Sequence, residues 1–187
     1  MLGAVLTQNT AWTNVERALD QLRAQIPLSP EAVLALETPV LAELIRPSGY
    51  FNVKARRLCS FCTALVEAGG ESVLAALPTD ELRRWLLAIN GIGPETADDI
   101  LLYAFERPVF VVDAYTRRLF RRLGLIAGDE GYEQIRQRVE TALGPDTALF
   151  NDYHALIVRH AKDVCRARKP GCECCLLNRS CAQRAPD

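Results

Sequence analysis

Four cysteines near the C-terminus could bind an inorganic centre through sulfur alone. They follow the spacing C-x6-C-x2-C-x5-C and are Cys165, Cys172, Cys175 and Cys181. Thiolate ligation suits zinc or an iron–sulfur cluster, but zinc sites usually contain two C-x2-C pairs, and here only Cys172 and Cys175 form one. The long first gap favours a cubane cluster, with Cys174 left spare. Two disulfides are the alternative, and we expect no export signal that would support them.

A glycine-containing turn could bind a phosphate. Residues 87–97 read LAINGIGPETA, in which Gly91 and Gly93 surround Ile92 and Pro94 begins a new helix. We expect both glycines to allow positive φ and expose backbone amides, while the helix dipole adds attraction for an anion. Ile92 should anchor the hairpin in the core. Most turns of this kind are only turns, so the prediction depends on the rest of the chain.

A carboxylate follows this hairpin at the start of a basic helix. The apolar run ending at Val112 leads into Asp113, and arginines occur soon afterwards. Asp113 could simply cap the helix, since aspartate is a preferred N-cap residue. The two roles are compatible, because a cap fixes the orientation of the carboxylate.

The charge distribution is polarised although the total is near neutral. The 187 residues carry a formal net charge of −1, which by itself argues against a nucleic-acid partner. Residues 1–113 contain nine Lys/Arg and fourteen Asp/Glu, whereas residues 114–187 contain thirteen and nine. The second part could therefore present a basic face, unless its cations are scattered over the surface. The basic positions are Arg117, Arg118, Arg121, Arg122, Arg159, Lys162, Arg166, Arg168 and Lys169.

The apolar periodicity predicts an all-α protein of short helices. Ser29, Thr38 and Thr79 are read as N-terminal caps. The helices are predicted at 12–25, from Pro30, at 41–46, 54–68, 71–76, 79–89, 95–104, 114–123, 132–143 and 147–164. Cys59 and Cys62 fall inside one of them and are interpreted as packed thiols. No segment is long and apolar enough to suggest a membrane span.

The hairpin, the following aspartate and the four-cysteine loop, in this order, resemble the helix-hairpin-helix (HhH-GPD) DNA glycosylases of the endonuclease III type. The segments LTQNT, PSGYFNVKA and NGIGPETADDI are most similar to those of the 3-methyladenine DNA glycosylase III subgroup. The resemblance implies a two-lobed all-α fold. Residues 1–107 would form a six-helix lobe with the hairpin at about 82–104, and residues 108–187 would form the lobe of the catalytic aspartate and a [4Fe-4S] cluster. It also implies an additional N-terminal helix before the segment that matches Leu2–Thr10, and we expect this chain to be without it.

The resemblance assigns roles to individual residues. Asp113 would stabilise the sugar cation or activate water, and Gln8 would fill the space that a flipped nucleotide leaves in the duplex. Trp12 would stack on the damaged base. Backbone phosphates would be bound by Gly91, Gly93, Arg166, Arg168 and Lys169. The cluster, held by Cys165, Cys172, Cys175 and Cys181, would be structural.

One departure from the family predicts the reaction subtype. Members that also cleave the strand have a lysine where this chain has Glu95, and a carboxylate cannot form a Schiff base. We therefore expect a monofunctional glycosylase. The resemblance to the 3-methyladenine subgroup, with Trp12 as a stacking platform, favours an alkylated purine as the base removed. Three alternatives remain open. The protein could be a glycosylase for damaged or mismatched pyrimidines, with or without weak AP lyase activity. It could also be a non-catalytic DNA-binding paralogue or a zinc-binding interaction module. The expected partner is double-stranded DNA containing a damaged base, bound by a cytoplasmic, nucleoid-associated monomer.

Overall fold

The computed structural model describes residues 1–183, and the all-α prediction is confirmed. No β-strand occurs within these residues. The α-helices are α1 (Leu2–Leu6), α2 (Trp12–Gln25), α3 (Pro30–Leu34), α4 (Thr38–Leu44), α5 (Phe51–Glu67), α6 (Glu71–Ala75), α7 (Thr79–Ala88), α8 (Pro94–Ala104), α9 (Ala114–Leu123), α10 (Tyr132–Leu143) and α11 (Thr147–Asp163). Short 3-10 helices cover Arg46–Ser48, Cys172–Cys174 and Asn178–Ser180.

The chain divides into two compact units, with the first ending at Phe105 and the second beginning at Glu106. This division lies two residues before the boundary expected from the sequence. In the first unit, α5 packs against both α3 and α4, and α7 packs against α8. Its core consists of the apolar faces of these helices, including the fully buried Leu22, Leu41, Leu58, Leu82, Leu86 and Leu101.

A buried lysine joins three segments of the first unit. Lys54, on α5, is 2% exposed, and its Nζ donates hydrogen bonds to the carbonyl oxygens of Leu6 (2.8 Å) and Ser48 (2.7 Å). Burial, and then the nearby charge of Arg57, lowers the pKa of Lys54 to about 8. The last residue of α1 and the turn before α5 are therefore anchored to the same helix.

The second unit is built around the aromatic side chains that flank α9. Phe110 stacks on Phe120 with a centroid separation of 6.3 Å and meets the edge of Phe150 at 5.8 Å. The apolar run that was predicted to precede Asp113 is buried, from Val109 to Val112. α9 packs against α11, so the first residue of α9 and its N-cap occupy a defined position.

The helix starts confirm two of the four caps and contradict the others. Ser29 Oγ accepts a hydrogen bond from the Ala32 amide at 3.2 Å, and Asp113 is also a cap. Thr38 and Thr79 are the first helical residues instead of caps, with Glu37 and Pro78 in the N-cap positions. The helical bonding already starts from those preceding carbonyls, which accept from Leu41 and Leu82 at 3.0 Å. Backbone geometry, and not side-chain capping, therefore begins these two helices.

Candidate functional site

The glycine hairpin lies between α7 and α8 and has one strained position instead of two. Gly91 adopts φ 89°, as predicted, but Gly93 is extended, with φ −94° and ψ 176°. Gly93 is the N-cap of α8, and its carbonyl accepts from the Ala97 amide at 2.9 Å, so it needs no left-handed conformation. Ile92 is buried, as expected for an anchor. No heavy atom lies within 4 Å of a Cβ built on Gly93, so the surface above this turn is open to a ligand.

The two helices of the hairpin are joined by a buried ion pair. Arg83 on α7 donates from Nε and Nη2 to the two carboxylate oxygens of Asp98 on α8, at 2.7 and 3.1 Å. Asp98 is completely buried, and this bidentate contact brings a cation to its carboxylate. The pair holds α7 and α8 together and thereby shapes the turn between them.

Gln8 lies against the hairpin. Its Nε2 donates to the carbonyl oxygen of Gly91 at 3.1 Å and to Thr96 Oγ1 at 2.9 Å. Its Oε1 accepts a hydrogen bond from Arg57 Nη1. The structure therefore brings together two residues that the sequence suggested for DNA contact, Gln8 and Gly91, and adds Arg57, which the sequence did not suggest.

Asp113 caps α9 and is close to a histidine that the sequence interpretation missed. Its Oδ1 accepts from the Thr116 amide at 2.7 Å, and its Oδ2 lies 3.6 Å from His154 Nε2. That distance exceeds a normal hydrogen bond but allows the imidazole to attract the carboxylate. Burial alone raises the pKa of Asp113, but His154 and the Thr116 amide together outweigh it and hold the pKa below its usual value.

His154 could have been found from its position on α11. It shares the buried stripe of this helix with Phe150, Ile157 and Ala161, so an ionisable side chain interrupts an apolar face. Such a residue usually has a polar partner in the fold, and here that partner is Asp113. The sequence alone does not name the partner, because the two residues lie far apart along the chain.

The four predicted ligand cysteines line one cavity of about 140 Å³ in the second unit. Cys174 does not line this cavity, and its Sγ donates to the Gly171 carbonyl at 3.3 Å. His160, also at the cavity, has its Nε2 3.6 Å from Cys175 Sγ. Within residues 1–183 no three potential ligands are already arranged around a metal position, and all seven cysteines are free thiols. Four sulfurs around one cavity nevertheless form a donor set suited to zinc or an iron–sulfur centre.

Two arginines of α9 support the loop that carries these cysteines. Arg118 donates to the carbonyl oxygens of Cys165 and Ala161, and Arg122 donates to three consecutive carbonyls from Cys165 onward. Arg122 Nη1 also lies 3.2 Å from Cys165 Sγ. These two side chains are therefore directed onto the cysteine loop instead of extending freely from α9. Arg166, Arg168 and Lys169 remain exposed.

Comparison with known proteins gives the family. The HhH-GPD superfamily of base excision DNA repair proteins matches residues 2–145. A protein of Methanocaldococcus jannaschii with the provisional name DNA repair glycosylase MJ1434 is 45% identical over 188 residues, covering 98% of this chain and 84% of the relative. The chain belongs to the HhH-GPD family. The resemblance predicted from the sequence is thus confirmed, and the family is one of DNA glycosylases, enzymes that act on DNA in base excision repair.

Solved structures show the HhH-GPD fold as well. A non-covalent endonuclease III–DNA complex aligns with a TM-score of 0.84 at 24% identity, covering 97% of this chain and 80% of that chain. The 3-methyladenine DNA glycosylase MagIII of H. pylori, bound to 1,N6-ethenoadenine, aligns with a TM-score of 0.73 at 31% identity, covering 86% and 82%. Within the described residues, no helix is long and apolar enough to cross a membrane.

The two remaining predicted site residues of this family member lie at helix starts in the first unit. Glu95 is exposed in the first turn of α8, where a carboxylate interacts favourably with the helix dipole. Trp12 is the first residue of α2 and is 48% exposed. Its ring packs over α1, where a Cβ added to Gly3 would be 3.1 Å from the indole Cη2. The indole ring is thus partly packed against α1 and partly exposed to solvent, where a base could stack on it.

Proposed function

We propose that this protein is a monofunctional DNA N-glycosylase that hydrolyses the N-glycosidic bond of a flipped, alkylated purine. The observation that carries the proposal is the carboxylate of Asp113, which is only 14% exposed, is oriented by Thr116 and His154 and has a lowered pKa. The purine specificity is supported by the likeness to MagIII, which is 31% identical and was solved with ethenoadenine.

Asp113 supplies the negative charge that the reaction requires. As the base departs with the bonding electrons, the deoxyribose gains oxocarbenium character, and a nearby carboxylate stabilises that cation or accepts a proton from the attacking water. Either role needs an ionised side chain. The Thr116 amide and the His154 imidazole favour the ionised form, so Asp113 remains negative throughout the neutral range.

The reaction stops at the abasic site because the first turn of α8 offers no amine. Glu95 occupies the position at which strand-cleaving relatives of this type have lysine, and the amine of Lys54 is enclosed between two carbonyl oxygens. Without an accessible amine there, no Schiff base forms with the sugar. Borohydride added during turnover should therefore trap no protein–DNA adduct, and a strong trapped band would contradict this part of the proposal.

The remaining assignments divide between the two units. In the first, the hairpin and Gln8 contact DNA and Trp12 stacks on the damaged base. In the second, the exposed cations of the cysteine loop contact phosphates. The DNA-contacting residues are Gln8, Gly91, Gly93, Arg166, Arg168 and Lys169. A [4Fe-4S] cluster, if bound by Cys165, Cys172, Cys175 and Cys181, supplies a rigid core for that loop.

The decisive experiment replaces Asp113 by asparagine. Base release from duplexes that carry alkylated, deaminated or oxidised bases should fall by two to four orders of magnitude, on the scale of general acid–base catalysis. Binding to a duplex with a tetrahydrofuran abasic analogue should persist. Asp146→Asn is the matched control, because Asp146 caps α11 through a 2.9 Å bond to the Leu149 amide without a proposed catalytic role.

Two outcomes would reject the catalytic proposal. Unchanged base release by Asp113→Asn would remove the carboxylate from the mechanism. If the wild-type protein binds the abasic analogue but releases no base from any duplex, the chain is a DNA-binding member of the family without catalysis.

A further inference from the structure

The amide of Gln8 has a single possible orientation in this fold. Both hydrogens of Nε2 are used, by the Gly91 carbonyl at 3.1 Å and by Thr96 Oγ1 at 2.9 Å. Oε1 accepts from Arg57 Nη1. A carbonyl can only accept and a guanidinium can only donate, so flipping the amide would break two of the three hydrogen bonds.

The path of Arg57 is defined by the hairpin glycine. A Cβ built on Gly91 would lie 2.4 Å from Arg57 Cγ and 2.8 Å from Cδ, which is too close for any side chain. Gly91 is therefore required for two reasons, its φ of 89° and the aliphatic part of Arg57 that crosses it. The guanidinium reaches Gln8 only along this path.

Arg57 is a cation without an acidic partner. Among residues 1–183 its side chain makes one hydrogen bond, to Gln8, and no ion pair with a carboxylate. It is half-buried and close enough to Lys54 to lower the pKa of that amine. Solvent still reaches a half-buried guanidinium, so Arg57 needs no carboxylate, and the N–H groups that Gln8 does not use stay available to a ligand.

We propose that Arg57 is the positioning residue for Gln8, and that it holds the amide ready to enter the space left by a flipped nucleotide. The inference rests on the proposed function, because it takes a lesion-bearing duplex as the ligand. With both Nε2 hydrogens turned inward, Gln8 offers DNA one lone pair of Oε1, beside the unused N–H groups of Arg57. Loss of Arg57 removes the hydrogen bond to Oε1 and leaves the amide held by its two Nε2 bonds alone, so the amide is less tightly ordered and insertion carries an additional entropic cost.

The test is a double-mutant cycle on binding to a duplex that contains the tetrahydrofuran analogue. Arg57→Met keeps the aliphatic path over Gly91, and Gln8→Ala removes the amide. Each should weaken binding roughly tenfold, because the inserting amide is then either less ordered or absent, and the double variant should be no weaker than Gln8→Ala. The control is Arg56→Met, which removes the same charge from an exposed neighbour on α5.

A spectroscopic signal separates positioning from simple phosphate attraction. 2-Aminopurine opposite the tetrahydrofuran should change its fluorescence on binding wild-type protein and Arg56→Met, and much less on binding Arg57→Met or Gln8→Ala. Thermal unfolding of each variant checks that it is folded, and Arg57→Gln provides a second substitution at this position. Affinity for undamaged duplex should fall equally in Arg56→Met and Arg57→Met.

The outcomes assign failure to one proposal or the other. If the losses from Arg57→Met and Gln8→Ala multiply, or if Arg57→Met retains the fluorescence change, Arg57 acts independently of Gln8 and the inference is wrong. If the wild-type protein does not distinguish the analogue duplex from undamaged DNA, the proposed function fails and the inference fails with it.

Discussion

Replacing Arg122 by methionine should loosen the cysteine loop without altering any cysteine. The guanidinium donates to the carbonyl oxygens of Cys165 (3.1 Å), Arg166 (2.8 Å) and Ala167 (2.9 Å), and to Cys165 Sγ at 3.2 Å. The carbonyl oxygen of Arg122 also accepts from Cys181 Sγ at 3.2 Å, so this one residue contacts both ends of the loop. Methionine retains an aliphatic chain at the cavity and removes only the donors.

The loss of stability should be about 2 kcal/mol, well below the sum of the individual bonds. A hydrogen bond from a charged donor contributes about 1.5–3 kcal/mol. The carbonyls of Arg166 and Ala167 are on exposed residues and can bond to water in the variant. The buried Cys165 carbonyl keeps its second donor, Arg118 Nε at 3.1 Å. Only the contact with Cys165 Sγ and the local order of the loop are lost outright.

Two measurements on the purified protein test this estimate. Urea unfolding under reducing conditions gives the difference in unfolding free energy, and the rate at which a chelator removes any bound metal reports on the loop. Arg121→Met is the control, since Arg121 is the exposed neighbour on α9. If Arg122→Met and Arg121→Met have the same unfolding midpoint and the same metal loss, the guanidinium contacts contribute nothing, and our account of the loop is wrong.

Two further variants test buried charges of the first unit. Arg83→Met deprives the fully buried Asp98 of its bidentate partner and should lower the unfolding free energy by about 3–5 kcal/mol. Adding Asp98→Asn to this variant should recover part of the lost free energy. If the two substitutions lower the unfolding free energy additively, the pairing is contradicted. For Lys54, the folded pKa of about 8 lies below its usual 10.5, so the unfolded chain binds the extra proton between these values. The penalty for burying the cation is fully present below pH 8 and fades above it. Relative to Lys54→Met, the unfolding free energy of the wild-type protein should therefore rise between neutral pH and about pH 10. If urea unfolding gives the same free-energy difference between the two proteins at every pH in this range, the lowered pKa of Lys54 is refuted.

Local features of the fold were predictable because they depend on neighbouring residues. The bounds of α2, α9 and α10 agree with the predicted ranges, since apolar periodicity and a following Pro or Gly mark them. The Asp113 cap is also local, because the carboxylate binds an amide three residues ahead. The assumption that a threonine caps a helix misplaces the start of α4, which begins at Thr38; α7 begins at Thr79 as predicted, but Thr79 is its first helical residue and not its cap.

Contacts between distant segments could not be predicted in this way. Arg118 and Arg122 were read as part of a basic surface, but each is directed onto the cysteine loop more than 40 residues away. Gly93 was expected at positive φ, although its role as the N-cap of α8 leaves it extended. Apolar periodicity identifies which face of a helix is buried, but it does not identify the polar group of another segment that the helix contacts in the fold.

The helical class, the family and the order of hairpin, aspartate and cysteines can all be read from the amino-acid sequence. These follow from residue types and short spacings, which are written along the chain. Three further features are visible only in the folded chain: His154 lies 3.6 Å from Asp113, Gln8 is held by Arg57 and Gly91, and the four thiols line one cavity. Each of these depends on side chains brought together by helix packing, and packing is a property of the whole core.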